Sequence, residues 1–413
     1  ERLPSLVGDD GCKGSPRSCD LSRGVQADDA TGTIVFRLRR PEERFLKDLS
    51  YVSPIPRGTP ARDTGTRPVP STGPYLVESY VPKRALTLVR NRYFRVRPGG
   101  ARPDGFPDEI EFRLRRSRVE DVAAVEQGRV DVAFAFPLER PAEVRALEDF
   151  KARFPSRVHV RGEQATVLAF LNTRHPPFDD VRVRRAVNYA VDRAAIAAAY
   201  GSGLAEVTCQ LRPPGTVGFK RYCPYTAAPS GTGEWKAPDL ARARGLVAAS
   251  GTRGLRVTVW TYPGFWERAA EGAVRALQDL GYRASIEYAE GLDAYIAKAT
   301  DERTRGLQAG VIGWYGVPRA ASSLLRDLRC SAPDLSFFCD RRVDAGIARA
   351  VEVEATDADA AVAQWARIER DIVDRAPWVP LFTPSHASLT SRRVGNFQYN
   401  PEWRILFDQL WVR

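Results

Sequence analysis

Four short runs in this 413-residue chain put large aromatic or polar side chains where a small molecule could be gripped. They are Gly313-Trp314-Tyr315-Gly316-Val317-Pro318-Arg319, Trp260-Thr261-Tyr262-Pro263-Gly264-Phe265-Trp266, Phe134-Ala135-Phe136-Pro137, and Asn172-Thr173. Each follows a segment patterned as a β-strand, and in open α/β sheets ligands sit at the carboxyl ends of strands. Trp and Tyr supply broad apolar area with one hydrogen-bonding tip, a chemistry of reversible capture rather than of bond breaking. The expected ligand contacts are therefore Trp314, Tyr315, Trp260, Tyr262, Trp266, Phe134, Phe136 and Asn172. Arg319 joins them as a bidentate donor for a carboxylate, with a solvated place at a helix start as its alternative. For each aromatic the competing reading is a plain filling of the seam between sheet and helices.

Catalytic arrangements are missing from the pattern. There is no HExxH, no GxSxG, no P-loop and no GxGxxG opening a helix after a strand. His159, His175 and His386 are scattered, and His175 precedes Pro176-Pro177 as a loop residue would. The acidic pairs Asp28-Asp29 and Asp179-Asp180 fall at turns and helix caps, which accounts for them without a metal. Neither an enzymatic activity nor a cofactor nor a metal is expected.

Composition narrows the class further. A chain this long suggests two lobes rather than one core, and 43% hydrophobic with 10% aromatic residues fits a packed globular protein. No run of about 20 apolar residues offers a membrane span. The net charge of +11 invites a nucleic-acid partner, yet the basic residues are spread along the whole length and only seven of the 62 are Lys. An Arg- and Ala-rich chain of this kind reflects a GC-rich genome, and no nucleic-acid partner is expected. The six Cys form three sequence-local pairs, Cys12 with Cys19, Cys209 with Cys223 and Cys330 with Cys339. Each pair brackets a short loop with Pro or Gly, so local disulfides are the simplest choice. Free buried thiols remain the alternative; zinc would want tighter spacing and a nearby His. Disulfides place the chain in an oxidising compartment.

The elements that must carry these residues follow from periodicity. Strands are expected at 33–38, in a hairpin-like pair over 72–94 split by Pro82, at 109–115 and at 130–136, with a helix from the Ser117 cap to about Gln127. Val167 to Leu171 is a continuous apolar run, as in a strand buried on both faces. Asp179 or Asp180 then caps one amphipathic helix that Gly201 ends. Farther on, strands at 255–262, 282–288 and 308–314 alternate with helices at 265–280 and 292–300. Helices at 341–354 and 357–374 precede a buried strand at 378–383.

Several of these segments stand in a telling order: SRGV followed by the Asp-Asp strand, TGPY…RN-x-Y, FLNT…PF-DD-RVRRA, a Pro-Pro-Gly loop, Gly-Trp, and AP-x-VPL. Over nearly all of residues 20–413 that order resembles the extracytoplasmic solute-binding proteins of peptide and nickel ABC importers, the family 5, oligopeptide- and dipeptide-binding-like type, in an actinobacterial-like version. The resemblance implies an α/β two-lobe periplasmic-binding-protein-like fold (type II, large cluster C class), with mixed, mostly parallel sheets flanked by helices and a hinge of two crossing strands. Lobe I would span 1–164 with the C-terminal return 388–413, and lobe II 165–387, crossing near Val167 and Ser385. Family members carry a longer N-terminal portion, so lobe I is expected to be incomplete. The implied function is capture of a peptide-like or other small solute between the lobes and its delivery to ABC permease subunits at the membrane. A monomeric, extracytoplasmic, membrane-anchored lipoprotein is implied with it. Peptide-binding relatives continue GW-x-x-D-Y-P, the Asp pairing with the peptide's amino terminus. Here Gly313-Trp314 is followed by no such carboxylate, and an unpaired buried ammonium is costly, so ordinary peptide recognition is not expected. The alternatives are a ligand-sensing domain of a membrane-anchored regulator and a truncated fragment that binds nothing.

Overall fold

The run ATVLAFL forms the strand Ala165–Leu171, and all seven of its residues are buried. Alternation sends Val167, Ala169 and Leu171 into one core with Val183, Val187 and Leu277, while Leu168 and Phe170 enter another with Ile347, Trp365 and Trp378. Helices therefore cover both faces of this strand, which is why its sequence shows no polar face. The structure is a computed structural model. It describes residues 6–8, 20–42, 45–60, 62, 64–96, 104–114, 117–134, 140–201, 203–264, 266–301, 306–315, 320–322, 324–326, 328–331 and 334–413.

On one edge, Ala165–Leu171 pairs antiparallel with the strand Ala309–Tyr315, from Leu171 opposite Ala309 to Ala165 opposite Tyr315. Beyond it lie Arg256–Thr261 and then Arg283–Tyr288, each parallel to its neighbour. The helix Glu267–Asp279 links those two strands across one face, and Leu292–Ala299 leads back across the other. On its opposite edge Ala165–Leu171 meets the long strand Trp378–Thr390, with Trp378 opposite Phe170. That strand then continues along Val158–Gly162, Ser385 facing Gly162 and Leu389 facing Val158. Residues 158–171 and 378–390 thus make one antiparallel ribbon that shifts register between Pro380 and Phe382 and loses its pairing between Gly162 and Val167, where Thr383 and Pro384 pair with Ala205–Val207 instead. Even there the Glu163 N–H donates to the Pro384 carbonyl at 2.9 Å.

Two expectations change in detail. Among the described residues parallel pairing is confined to the three strands just named. Ala165–Leu171 runs antiparallel both to Ala309–Tyr315 and to Trp378–Thr390, as a chain that enters and leaves through the same ribbon must. The strand expected to stop at Thr383 runs to Thr390. Pro384 has no N–H to give, but its carbonyl carries the ladder onward.

The helix expected from Asp180 to Gly201 is two helices, Val181–Ala190 and Arg193–Ala198. Asp180 caps the first through the Arg182 N–H at 2.8 Å. Asp192 caps a second start through the Ala195 N–H at 3.0 Å, and a cap inside an apolar pattern is a break. Just after it, the fully buried Arg193 guanidinium donates to the Pro380 carbonyl at 2.7 Å, the Asn188 carbonyl at 2.9 Å and Asn188 Oδ1 at 3.0 Å. Burial pulls Arg193 down to about 9. Asn188 Nδ2 in turn donates to the Trp378 carbonyl at 3.1 Å. Asn188 and Arg193 are thus a clamp from helix to ribbon.

Cys209–Cys223 and Cys330–Cys339 are disulfides, with Cα separations of 5.1 and 4.7 Å; Cys12 and Cys19 lie outside the described residues. The first bridge brackets the loop holding Arg212. Arg212 makes a wholly buried ion pair with Glu369 of the helix Ala358–Arg375, at 3.0 Å. The hairpin-like pair is also present, as Tyr75–Val81 against Ala85–Arg90, extended by Glu109–Arg113. Among the described residues no helix is long and apolar enough to cross a membrane.

Candidate ligand-binding site

Where the ribbon is interrupted, a cavity of about 160 Å³ opens against it. Its floor is Glu163 and Gln164, the two residues between the strands Val158–Gly162 and Ala165–Leu171. One wall is Tyr315, the last residue of Ala309–Tyr315; the other is Tyr51 with Tyr399, Pro401, Glu402 and Arg404. Tyr315 reaches the cavity because its strand ends opposite Ala165, one residue beyond Gln164.

The second wall is a hairpin, Tyr399-Asn400 pairing with Arg404-Ile405. Asn400 Oδ1 accepts from the N–H groups of Glu402 at 2.8 Å and Trp403 at 3.0 Å, which fixes the turn. The hairpin is held against the N-terminal part of the chain, Glu402 accepting hydrogen bonds from Lys47 Nζ and Tyr51 Oη. On its other flank, Phe397 stacks on His159 at 3.7 Å between ring centroids.

Charge at the floor is concentrated on Glu163, whose side chain is 4% exposed. Its Oε1 lies 3.0 Å from Arg404 Nη2 and also meets His386 Nε2 of the long strand. Burial pushes the Glu163 carboxyl up to about 7, against the pull of Arg404. Burial, and then Arg404, pulls His386 down to about 4. Near neutral pH His386 is therefore uncharged and Glu163 is divided between its two forms. Farther out, Arg326 Nη2 meets Glu42 Oε1 at 2.7 Å. This mostly buried pair ties the segment before the helix Phe45–Leu49 to the chain after Ala309–Tyr315.

Of the residues expected to contact ligand, the structure brings Tyr315 to this cavity. Trp314, next to it, points to the other face of the sheet and packs on Trp378, ring centroids 4.7 Å apart. Trp260 shares that face, and Lys298 Nζ covers its ring at 4.5 Å. Trp266 is buried and donates its indole N–H to Tyr262 Oη; the Tyr262 ring lies 5.5 Å from Tyr295. Phe134 stands edge-on to Phe407 at 6.0 Å.

Asn172 is separated from all of them. It is fully buried, its Nδ2 donates to the Leu307 carbonyl at 2.9 Å and its Oδ1 accepts from the Arg174 N–H at 3.0 Å. Ala165–Leu171 runs antiparallel to Ala309–Tyr315, so its carboxyl end lies at the far edge of the sheet from Tyr315. The rule of carboxyl strand ends, applied in the sequence as if all strands were parallel, misplaced it. Phe136 and Arg319 lie outside the described residues. The sequence reading missed Tyr51, Glu163, Gln164, Tyr399, Glu402 and Arg404. Only Glu163 left a trace there, as a carboxylate two residues before a wholly buried strand.

Comparison with known proteins agrees with this architecture. Residues 13–333 match the family model described as bacterial extracellular solute-binding proteins, family 5 Middle. The glutathione-binding protein GsiB of Salmonella choleraesuis (strain SC-B67) is 23% identical over 393 residues, covering 91% of this chain and 72% of that protein. GsiB of Escherichia coli O1:K1 / APEC is 23% identical over 394 residues, with the same shares covered. Among solved structures, the clavulanic acid biosynthesis oligopeptide binding protein 2 superposes with a TM-score of 0.80 at 24% identity, over 99% of this chain and 76% of that one. The murein tripeptide binding protein MppA of Escherichia coli gives 0.74 at 20% identity, over 99% and 78%. The fold is the two-lobe fold of periplasmic binding proteins. This chain belongs to the bacterial extracellular solute-binding proteins of family 5, which deliver ligands to ABC importers.

Proposed function

We propose that this protein traps a small peptide-like solute in the cavity between Tyr315 and the hairpin 399–405, and that ABC permease subunits receive it from there. One observation carries the reading. Tyr315 of the strand beside the ribbon and the hairpin 399–405 that follows it converge on the interruption at Glu163-Gln164, the place where a change in ribbon angle would open or shut the space between them. Ligand affinity would then measure how far the solute favours the shut form. Lobe boundaries near residues 164 and 387 accompany the proposal.

The relatives named above bind glutathione, oligopeptides and a murein tripeptide by their names, which supports a peptide-like class. The cavity volume of about 160 Å³ is below the roughly 300–1,000 Å³ of ordinary ligand clefts. It suits one end of such a solute, or a molecule of amino-acid size. With this reading go a monomer held at the outer membrane face as a lipoprotein, and the absence of chemistry on the ligand.

Native mass spectrometry of the purified protein, followed by calorimetric titration with glutathione and a panel of di- and tripeptides, tests the proposal. A single equimolar solute, or saturable heat with a member of the panel, is expected. A protein that carries no solute and responds to none of the panel would overturn it.

A further inference from the structure

On the other face of the ribbon from the solute cavity lies a groove of about 520 Å³, inside the roughly 300–1,000 Å³ range of ordinary ligand clefts. Successive side chains of a strand point to opposite faces. Val158 and Val160 line the groove, whereas His159 between them stacks on Phe397, which leads into the hairpin 399–405. One wall of the groove is the helix Pro141–Arg153. The other is the turn ending in Leu204, whose carbonyl accepts from the Ser385 N–H at 2.8 Å. Lys151 reaches from helix to turn, its Nζ 4.0 Å from where a β-carbon on Gly203 would stand. The walls thus come from opposite sides of the lobe boundary proposed near residue 164, and the strand Trp378–Thr390 is bonded to both.

The helix breaks its own pattern where it meets the groove. Positions three and four apart share a helix face, and Val144, Leu147, Glu148, Lys151 and Ala152 all border the groove. A packing face is normally an apolar stripe, yet two of these five are charged. Glu148 and Lys151 stand one turn apart without pairing, and neither has an ion-pair partner among the described residues. Elsewhere on the same helix Glu143 pairs with Arg140 and Arg153 with Glu126. An acid and a base left open beside an apolar groove are complementary to an ammonium and a carboxylate carried by one molecule with an apolar body.

We infer that this groove binds a small zwitterion with a bulky apolar side chain, an apolar amino acid in kind, and that its occupancy favours the shut form of the solute cavity. Lys151 takes the carboxylate and Glu148 the ammonium, while the side chain lies among Leu147, Val158, Val160 and Leu204. The ribbon lies between groove and cavity, so a bend that narrows one widens the other. An occupant that holds the groove's walls apart therefore stabilises the shut cavity, and linkage makes the coupling reciprocal. The coupling rests on the solute reading above; occupancy of the groove does not.

The test uses the full chain with L-phenylalanine as the probe, beside phenethylamine, which lacks the carboxylate, and hydrocinnamate, which lacks the ammonium. Calorimetry is expected to show phenylalanine binding about tenfold tighter than either analogue, the worth of one charge-assisted hydrogen bond. Lys151→Gln erases the margin over phenethylamine, and Glu148→Gln the margin over hydrocinnamate. A purely structural role for the two side chains would not split the analogues in this way. Ala152→Trp fills the groove from an exposed position and abolishes phenylalanine binding, while Tyr315→Ala, in the solute cavity, does not. Melting curves verify that each variant is folded. With phenylalanine present, glutathione or the panel peptide that binds should bind about fivefold tighter, an ordinary coupling between two sites, and Lys151→Gln should remove that gain.

Phenylalanine that does not bind, binds no better than its analogues, or is lost in Tyr315→Ala but kept in Ala152→Trp would overturn the groove site. Phenylalanine bound in the groove without effect on the solute would overturn the coupling. A chain that binds phenylalanine there yet is inert to the whole panel would overturn the solute reading, and the coupling with it, while upholding the groove site.

Discussion

A β-carbon on Gly313 would stand 2.5 Å from the ring of Trp266. The indole therefore lies directly on the glycine backbone, and the two motifs GW and PGFW are halves of one contact. Gly313→Ala must displace a buried ring that is also hydrogen-bonded to Tyr262. Overpacking of this kind costs about 1–3 kcal/mol. A lowered midpoint in urea unfolding is expected, and an unchanged midpoint would show that Trp266 moves aside freely.

Tyr315 and Trp314 should separate binding from stability. Tyr315 is 55% exposed at the cavity, so Tyr315→Ala is expected to weaken solute binding at least tenfold with little change in melting temperature. Trp314 packs on Trp378, and its truncation removes core area worth about 3–5 kcal/mol in fully buried cases. Trp314→Ala is therefore expected to lower the melting temperature as well. The reverse pattern, with Tyr315→Ala destabilising and Trp314→Ala silent in the melt, would refute the assignment of faces.

The pair of expectations shows what the sequence could and could not reveal. Alternation in 308–315 and the run at Gly313-Trp314 identified the right strand and its end. Alternation does not say which face a ligand uses, and Trp314 and Tyr315 differ by that one step. Asn172 was lost for a related reason, since an apolar run marks burial without marking strand direction. The buried strand at Val167 to Leu171, the cap at Asp180 and the two described disulfides follow from local chemistry, whereas the cap at Asp192 went unread inside an apolar pattern and the ribbon pairs segments far apart in the chain. Lys47 meets Glu402 across 355 positions, and no local pattern encodes such a meeting. The wall of the cavity containing Tyr51, Glu402 and Arg404 was invisible for that reason.

Glu369 should be far more sensitive than its place on a helix suggests. It is 1% exposed and accepts from Arg212 Nη2 at 3.0 Å, the Arg212 N–H at 2.8 Å and Gln210 Nε2 at 2.9 Å. Glu369→Ala strands a buried guanidinium, at a cost of about 3–5 kcal/mol. Replacing both partners, as Arg212→Met with Glu369→Leu, should recover most of it. Denaturant unfolding of the single and double variants checks this; additive losses would mean that the two side chains act separately.

The Glu163–His386 contact predicts an unusual pH response. Folding raises the Glu163 carboxyl from 4.5 to about 7. Such a group adds stability fully present below the unfolded value and lost as pH rises through the folded one. His386 is lowered from 6.5 to about 4, so its contribution is present above the unfolded value and lost as pH falls through the folded one. Between roughly pH 5 and 6 the unfolded chain holds one proton on His386 and the folded chain one on Glu163, so the counts match and this pair gives no slope. Glu163→Gln should expose the histidine slope, stability falling on acidification by up to ~1.4 kcal/mol per pH unit. His386→Gln should expose the opposite slope, stability falling as pH rises toward 7. Curves of the three proteins that run parallel would sink this account.

The hairpin 399–405 has a consequence for the order of events in synthesis. In a chain emerging amino terminus first, Tyr51, Glu163 and Tyr315 all precede the hairpin that forms the wall facing Tyr315. Until then Glu163 has no Arg404 beside it and Tyr51 no Glu402. A nascent chain can thus pack much of its core before this cavity exists, and the cavity is walled only once the hairpin has emerged.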